Sequence, residues 1–132
     1  MPNTSVVLAA VAAGGALGAS GRYLLARALG AGGSSALGVP LGTLAANGLG
    51  CFAAGLLMSW LGTRTSGSEL LAAFLMTGVL GGFTTFSAFS FETLRFVQTG
   101  ALSTAFLNVG LNLFVSLLAV VLGWQLITAL AR

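Results

Sequence analysis

Between Thr4 and Ala131 the chain offers four windows of about twenty or more mostly apolar residues, separated only by short stretches rich in Gly, Ser and Thr. A helix needs about 20 such residues to cross the roughly 30 Å hydrocarbon layer of a bilayer. The windows run from about Thr4 to Ala28, Val39 to Leu61, Glu69 to Val97 and Leu102 to Ala131. This spacing predicts an all-α integral membrane protein, a single four-helix transmembrane domain over residues 1–132, and Pro40 suits the first turn of the second helix. Charge makes up 5% of the 132 residues, far below the roughly one quarter of soluble chains. The N-terminal window lacks a basic segment before its apolar run, so it reads as a retained first span rather than a cleaved signal.

The same composition excludes most chemistry. The chain has no His, Asp or Lys, and its acids are Glu69 and Glu92, so acid–base, triad and metal-hydrolase catalysis lack their parts and an enzyme is not expected. Arg22, Arg27, Arg64, Arg95 and Arg132 are scattered, and no basic patch exists to grip nucleic acid. Cys51 stands alone in an apolar stretch and reads as a small hydrophobe. GLGCFA, Gly48 to Ala53, formally matches a dinucleotide fingerprint, but it lies inside an apolar span with no strand before it.

Short connections force alternating up and down spans. Arg64, Arg132 and the N-terminal amine then share one side, and Arg22, Arg27 and Arg95 the other. Orientation normally follows an excess of Arg and Lys on the cytoplasmic side, and here the two sides are about equal. The expectation is dual insertion and an antiparallel homodimer in the lipid bilayer. Small residues four apart, Gly14 with Gly18, Ala46 with Gly50, Gly55 with Ser59 and Gly78 with Gly82, predict closely packed helices.

Polar residues at membrane depth are costly and therefore informative. Thr43 and Asn47 share a face of the second span, and Asn108, Asn112 and Ser116 repeat every four residues along the fourth. These stripes carry neutral amides and hydroxyls without a carboxylate, because Glu69 and Glu92 bracket the third span. Such groups suit an anion path, for they replace part of a hydration shell without trapping the ion. Arg22 adds a positive field near the end of the first span. In GGFTTFSAF, Gly81 to Phe89, glycines and β-branched hydroxyl residues favour a break in the third span. A break frees carbonyls that suit a cation and a positive helix end that suits an anion. Phe83, Phe86 and Phe89 then fall along one face of the restarted helix, where ring edges can contact an anion.

GVLGGFTTFSAFSFE (Gly78 to Glu92), GTLAANGLG (Gly42 to Gly50) and GRY (Gly21 to Tyr23) together resemble the Fluc, or CrcB-type, family of bacterial fluoride channels, and the likeness extends over essentially the whole chain. The resemblance implies a fluoride-selective channel of the bacterial cytoplasmic membrane: an antiparallel homodimer with two pores that passively exports cytoplasmic fluoride. It implies Phe86, Phe89, Asn47, Ser87, Thr43, Asn108, Asn112 and Ser116 as pore residues and Arg22 as a vestibule residue. It further implies a structural Na⁺, not transported, on the backbone carbonyls of Gly81 and Thr84. Ala88 stands where many members have threonine, and asparagines occupy the first two positions of the fourth-span track. A small dual-topology multidrug-type antiporter is the first alternative, opposed by the lack of an acid before Glu69. A non-transporting membrane scaffold is the second.

Overall fold

The computed structural model describes residues 2–30, 37–62 and 69–130. The connections around Arg64 and the terminal Arg132 lie outside them, so the expected siding of those two arginines does too. Four helical spans are long and apolar enough to cross a membrane: Thr4–Ala28, Leu41–Gly62, Glu69–Gln98 and Leu102–Leu130. The first, α1 (Thr4–Ala28), is capped by Asn3, whose side chain accepts from the Ser5 N–H at 2.9 Å. The second, α2 (Leu41–Gly62), starts one residue after Pro40, whose carbonyl accepts from Leu44. The third comprises α3 (Glu69–Ala72), a π-helical stretch (Ala73–Leu80), α4 (Gly81–Phe83) and α5 (Phe86–Gln98). The fourth is α6 (Leu102–Leu130).

Side-chain and backbone neighbours fix the topology. Asn47 meets Thr85 and Thr43 meets Glu92, so α2 runs antiparallel to the third span. Thr93 meets Asn108 across the hairpin that joins α5 to α6. That hairpin is tight because Gly100 takes φ +77°, letting Ala101 donate to Phe96 and Gly100 to Val97. The first and third spans lie parallel and in close contact: a β-carbon on Gly18 would collide with the Val79 carbonyl and come within 2.8 Å of the Phe83 nitrogen. Gly55 and Gly123 join α2 to the parallel α6 in the same way, each lying against the other helix's backbone. In lipid, where apolar burial gives helices little reason to associate, this backbone approach supplies the dispersion contact that holds them together.

Winding is interrupted at Thr84 (φ −80°, ψ 154°) and Thr85 (φ −151°, ψ 116°), both extended. Of the glycines and β-branched hydroxyl residues that together favour a break, the threonines are the extended ones, whereas Gly81 is right-handed helical at φ −63°, ψ −34°. Phe83 therefore lies upstream of the extended pair, and the expected single face of Phe83, Phe86 and Phe89 does not form. Its ring packs instead between α1 and α2, 3.5 Å from where a β-carbon on Gly21 would sit and 3.3 Å from where one on Gly50 would.

Candidate functional site

The extended pair at Thr84–Thr85 is held by one side chain. Asn47 Oδ1 accepts from the Thr85 N–H at 2.8 Å, and Asn47 Nδ2 donates to the Thr85 carbonyl at 3.2 Å. In a continuous helix the Thr85 N–H would bond to the Gly81 carbonyl four residues back. Asn47 diverts that donor, so Gly81 loses its helical partner. One turn on, the Ala88 N–H bonds to Thr85 Oγ1 at 3.2 Å as Thr85 caps α5, and the Thr84 carbonyl loses its partner likewise. Other carbonyls at the end of α4 are served. Leu80 accepts from both the N–H and the hydroxyl of Thr84, each at 2.9 Å, and Gly82 accepts from Arg22 Nε at 3.2 Å.

From Asn47 a line of amides leads across to α6. Asn47 Nδ2 donates to Asn112 Oδ1 at 3.0 Å, and Asn112 Nδ2 donates to both Oδ1 and the carbonyl of Asn108 at 3.1 and 3.0 Å. Asn108 Nδ2 then donates to Thr93 Oγ1 at 2.9 Å, and the Thr93 hydroxyl to the Phe89 carbonyl at 2.8 Å. Every donor points the same way, so each bond polarises the next. The line ties the extended pair, the fourth span and the Phe89 turn of α5 together.

The structure thus joins half-buried Asn47 to Asn112 and Asn108 in one line of hydrogen bonds, while Thr43, one turn before Asn47 on α2, bonds to Glu92. Asn108 is fully buried and Asn112 and Thr43 are 5% and 8% exposed. Ser116, half-buried, is not in the line of bonds, and Ser87 is exposed with its hydroxyl 3.2 Å from that of Thr85. Phe86 and Phe89 pair edge to face, with centroids 5.2 Å apart and planes at 62°. Phe89 is buried, whereas Phe86 is 75% exposed and presents most of its ring outward.

Two contacts escape sequence reasoning. Glu92 does not merely bracket the span: its Oε1 accepts from Thr43 Oγ1 at 2.6 Å, and its Oε2 is buried with no hydrogen-bond partner among the described residues. The spacing of Phe89, Glu92 and Thr93, three and four apart, is the signal that would have put this carboxyl beside that line of bonds. The Arg22 bond to Gly82 had no sequence signal at all. Among the described residues no group of three or more His, Cys, Asp or Glu side chains could hold a metal.

Comparison with known proteins bears on what such a site serves. The family profile described as CrcB-like protein, Camphor Resistance (CrcB), matches residues 9–124. This chain belongs to the CrcB family. It is 44% identical over 116 residues to the fluoride-specific ion channel FluC of Hydrogenovibrio crunogenus, covering 88% of this chain and 86% of that one. It is also 44% identical over 113 residues to the FluC channel of Roseobacter denitrificans, covering 86% and 88% of the two chains. The FluC channel of Dehalococcoides mccartyi is 43% identical over 113 residues. The matched region of this CrcB-family chain includes Arg22, Asn47, the extended pair, both pore-candidate phenylalanines and the asparagines of α6.

Proposed function

We propose that the chain is a fluoride-selective passive anion channel and not an enzyme, acting in the bacterial cytoplasmic membrane as an antiparallel homodimer with two pores. It lets cytoplasmic fluoride leave down its electrochemical gradient. One observation carries the choice of ion: relatives 44% identical over most of both chains are named fluoride-specific ion channels. The site supports it chemically. Phe86 and Phe89 offer aromatic edges, Asn47 and Ser87 offer neutral donors, Thr43 lines the same side with its hydroxyl given to Glu92, and the Asn108, Asn112 and Ser116 face continues the polar track. Arg22 draws anions toward the vestibule. None of these fixes an ion by full charge at the centre of the path, which suits release as well as entry.

The dimer rests on two features. Between 6% and 33% of each span's most apolar window is buried inside one chain, leaving wide faces for lipid or a second copy. The Gly81 and Thr84 carbonyls, relieved of helical donors by Asn47 and by the Thr85 cap, fit a small hard cation such as Na⁺. A copy related by a two-fold axis would add the same pair. Bound sodium would neutralise carbonyl dipoles that otherwise repel one another.

Purified protein in liposomes loaded with fluoride should empty them within seconds once a potassium ionophore shunts the voltage, and should leave chloride-loaded liposomes full. Intact fluoride gradients would reduce the protein to a scaffold. Glu92, a carboxyl inside the bundle, favours a second reading, exchange of fluoride against protons. Fluoride efflux driven by a pH gradient without the shunt would establish that reading and overturn the passive one.

A further inference from the structure

We propose that Asn112 sets the channel's affinity for its ion by occupying, with its own side-chain oxygen, the hydrogen that Asn47 would give to fluoride. The inference rests on the reading of Asn47 as an ion contact. An amide NH₂ has two hydrogens. In Asn47 both are engaged, one on the Thr85 carbonyl at 3.2 Å and one on Asn112 Oδ1 at 3.0 Å. An anion reaching this nitrogen must displace one of them.

The two partners are not equally replaceable. Thr85 is gripped at two points, because its N–H also donates to Asn47 Oδ1 at 2.8 Å, and releasing it would undo the extended backbone. Asn112 Oδ1 makes no such second contact with Asn47. Its own amide is anchored on Asn108 through two bonds at 3.0 and 3.1 Å, so the oxygen stays aimed at Asn47 and stands ready to return when the ion leaves. Asn112 is 5% exposed, so its side chain is held in place by its neighbours. The oxygen is a neutral stand-in for the anion. It keeps the donor satisfied in the empty state, and it weakens ion binding by the worth of one exchanged hydrogen bond. Weak binding is what rapid conduction requires.

The test is the concentration dependence of fluoride efflux from voltage-shunted liposomes for the full-length protein, Asn112→Ala and Asn112→Ser, whose hydroxyl is too short to reach Asn47. Losing a competitor of ordinary hydrogen-bond strength should lower the half-saturating fluoride concentration about fivefold and lower the maximal flux as release slows. A packing defect would instead lower flux without tightening binding. Serine keeps the position polar should alanine disturb folding. An unchanged or raised half-saturation in both variants overturns the proposal. Asn47→Ala separates the levels: a conducting Asn47→Ala protein with wild-type half-saturation means that Asn47 is no ion contact, and the proposal falls while the channel stands. A wild-type protein that moves no fluoride removes both.

Discussion

Replacing Gly18 by alanine tests whether close backbone packing of the first span is what positions the interrupted third one. A β-carbon at Gly18 would run into the Val79 carbonyl and lie 2.8 Å from the Phe83 nitrogen and 2.9 Å from the Val79 carbonyl carbon. These are backbone atoms that cannot rotate away. Ordinary non-bonded contact needs ~3.5 Å, so the Phe83 contact alone requires the two helices to part locally by ~0.7 Å and the Val79 carbonyl requires more, enough to forfeit at least a quarter to a half of each dispersion well along the contact. Overpacking of this kind costs about 1–3 kcal/mol. The damage extends to the site, because Arg22 lies one turn beyond Gly18 on the same face of α1. Its Nε, now 3.2 Å from the Gly82 carbonyl, would be carried to at least ~3.9 Å, beyond hydrogen-bond reach. Gly15→Ala is the control: one position away from Gly14, a β-carbon there meets nothing within 4 Å. Unfolding in mixed detergent micelles with increasing SDS, followed by circular dichroism, should show Gly18→Ala destabilised by about 1–3 kcal/mol. Gly15→Ala should be unchanged or stabilised by up to about 1 kcal/mol through helix propensity. Fluoride flux should drop only in the first. Equal midpoints and equal fluxes for the two variants would refute the argument that this interface sets the geometry of the site.

Phe86→Ile keeps an apolar side chain but removes the aromatic edge, so fluoride efflux should fall sharply while cross-linking still recovers the assembled protein; unchanged efflux would end the aromatic-edge argument. Thr43→Val leaves both Glu92 carboxyl oxygens without a protein partner and should cost about 1–3 kcal/mol in the same SDS titration, with the double variant Thr43→Val/Glu92→Leu recovering much of it; a single variant as stable as wild type would mean that the 2.6 Å bond contributes little. If the carbonyls of Gly81 and Thr84 from two copies share a sodium ion as proposed, exchanging Na⁺ for a large organic cation should impair flux or dissociate the assembly on gel filtration; indifference to Na⁺ would refute a sodium site on Gly81 and Thr84.

The four crossings were legible because the bilayer imposes a length and a composition, and both are local properties of the chain. Partner choice was not. Gly14, Gly18, Gly78 and Gly82 announce close approach, but only the folded chain shows the first pair lying against the second, and Gly55 against Gly123. The polar stripes were legible as periodicity, yet a stripe facing water and a stripe facing another stripe read the same. In the structure Asn47, Asn112 and Asn108 hydrogen-bond to one another, the last two buried. The glycines and the β-branched hydroxyl residues together point to a break within Gly78 to Thr85, and the extended residues are Thr84 and Thr85, held by Asn47 from another helix. Phe83 stays on the upstream side and so leaves the face of Phe86 and Phe89, and Glu92 is drawn into the bundle by Thr43, a partner on another helix that the third span's own sequence does not show.

That choice by Asn47 bears on how a site can be built with so little charge. Placing ionised groups at bilayer depth costs several kcal/mol each, and a chain with two carboxyls and five arginines among its 132 residues largely avoids it. What it uses instead is selective removal of hydrogen-bond partners. At the end of α4, Leu80 receives two donors from Thr84 and Gly82 receives Arg22, while Gly81 between them receives none from the helix because Asn47 has taken the Thr85 N–H. A disordered break would expose several carbonyls indiscriminately and leave each unsatisfied. Here Leu80 and Gly82 are satisfied individually, while Gly81 and, one residue before the α5 cap, Thr84 are left without a helical donor. The arginine and the asparagine act as selectors that decide which of these backbone oxygens keep a partner. On this argument the identity of Asn47 matters through its two-sided hydrogen bonding more than through its size, because no aliphatic residue of the same shape could take the Thr85 N–H away from Gly81.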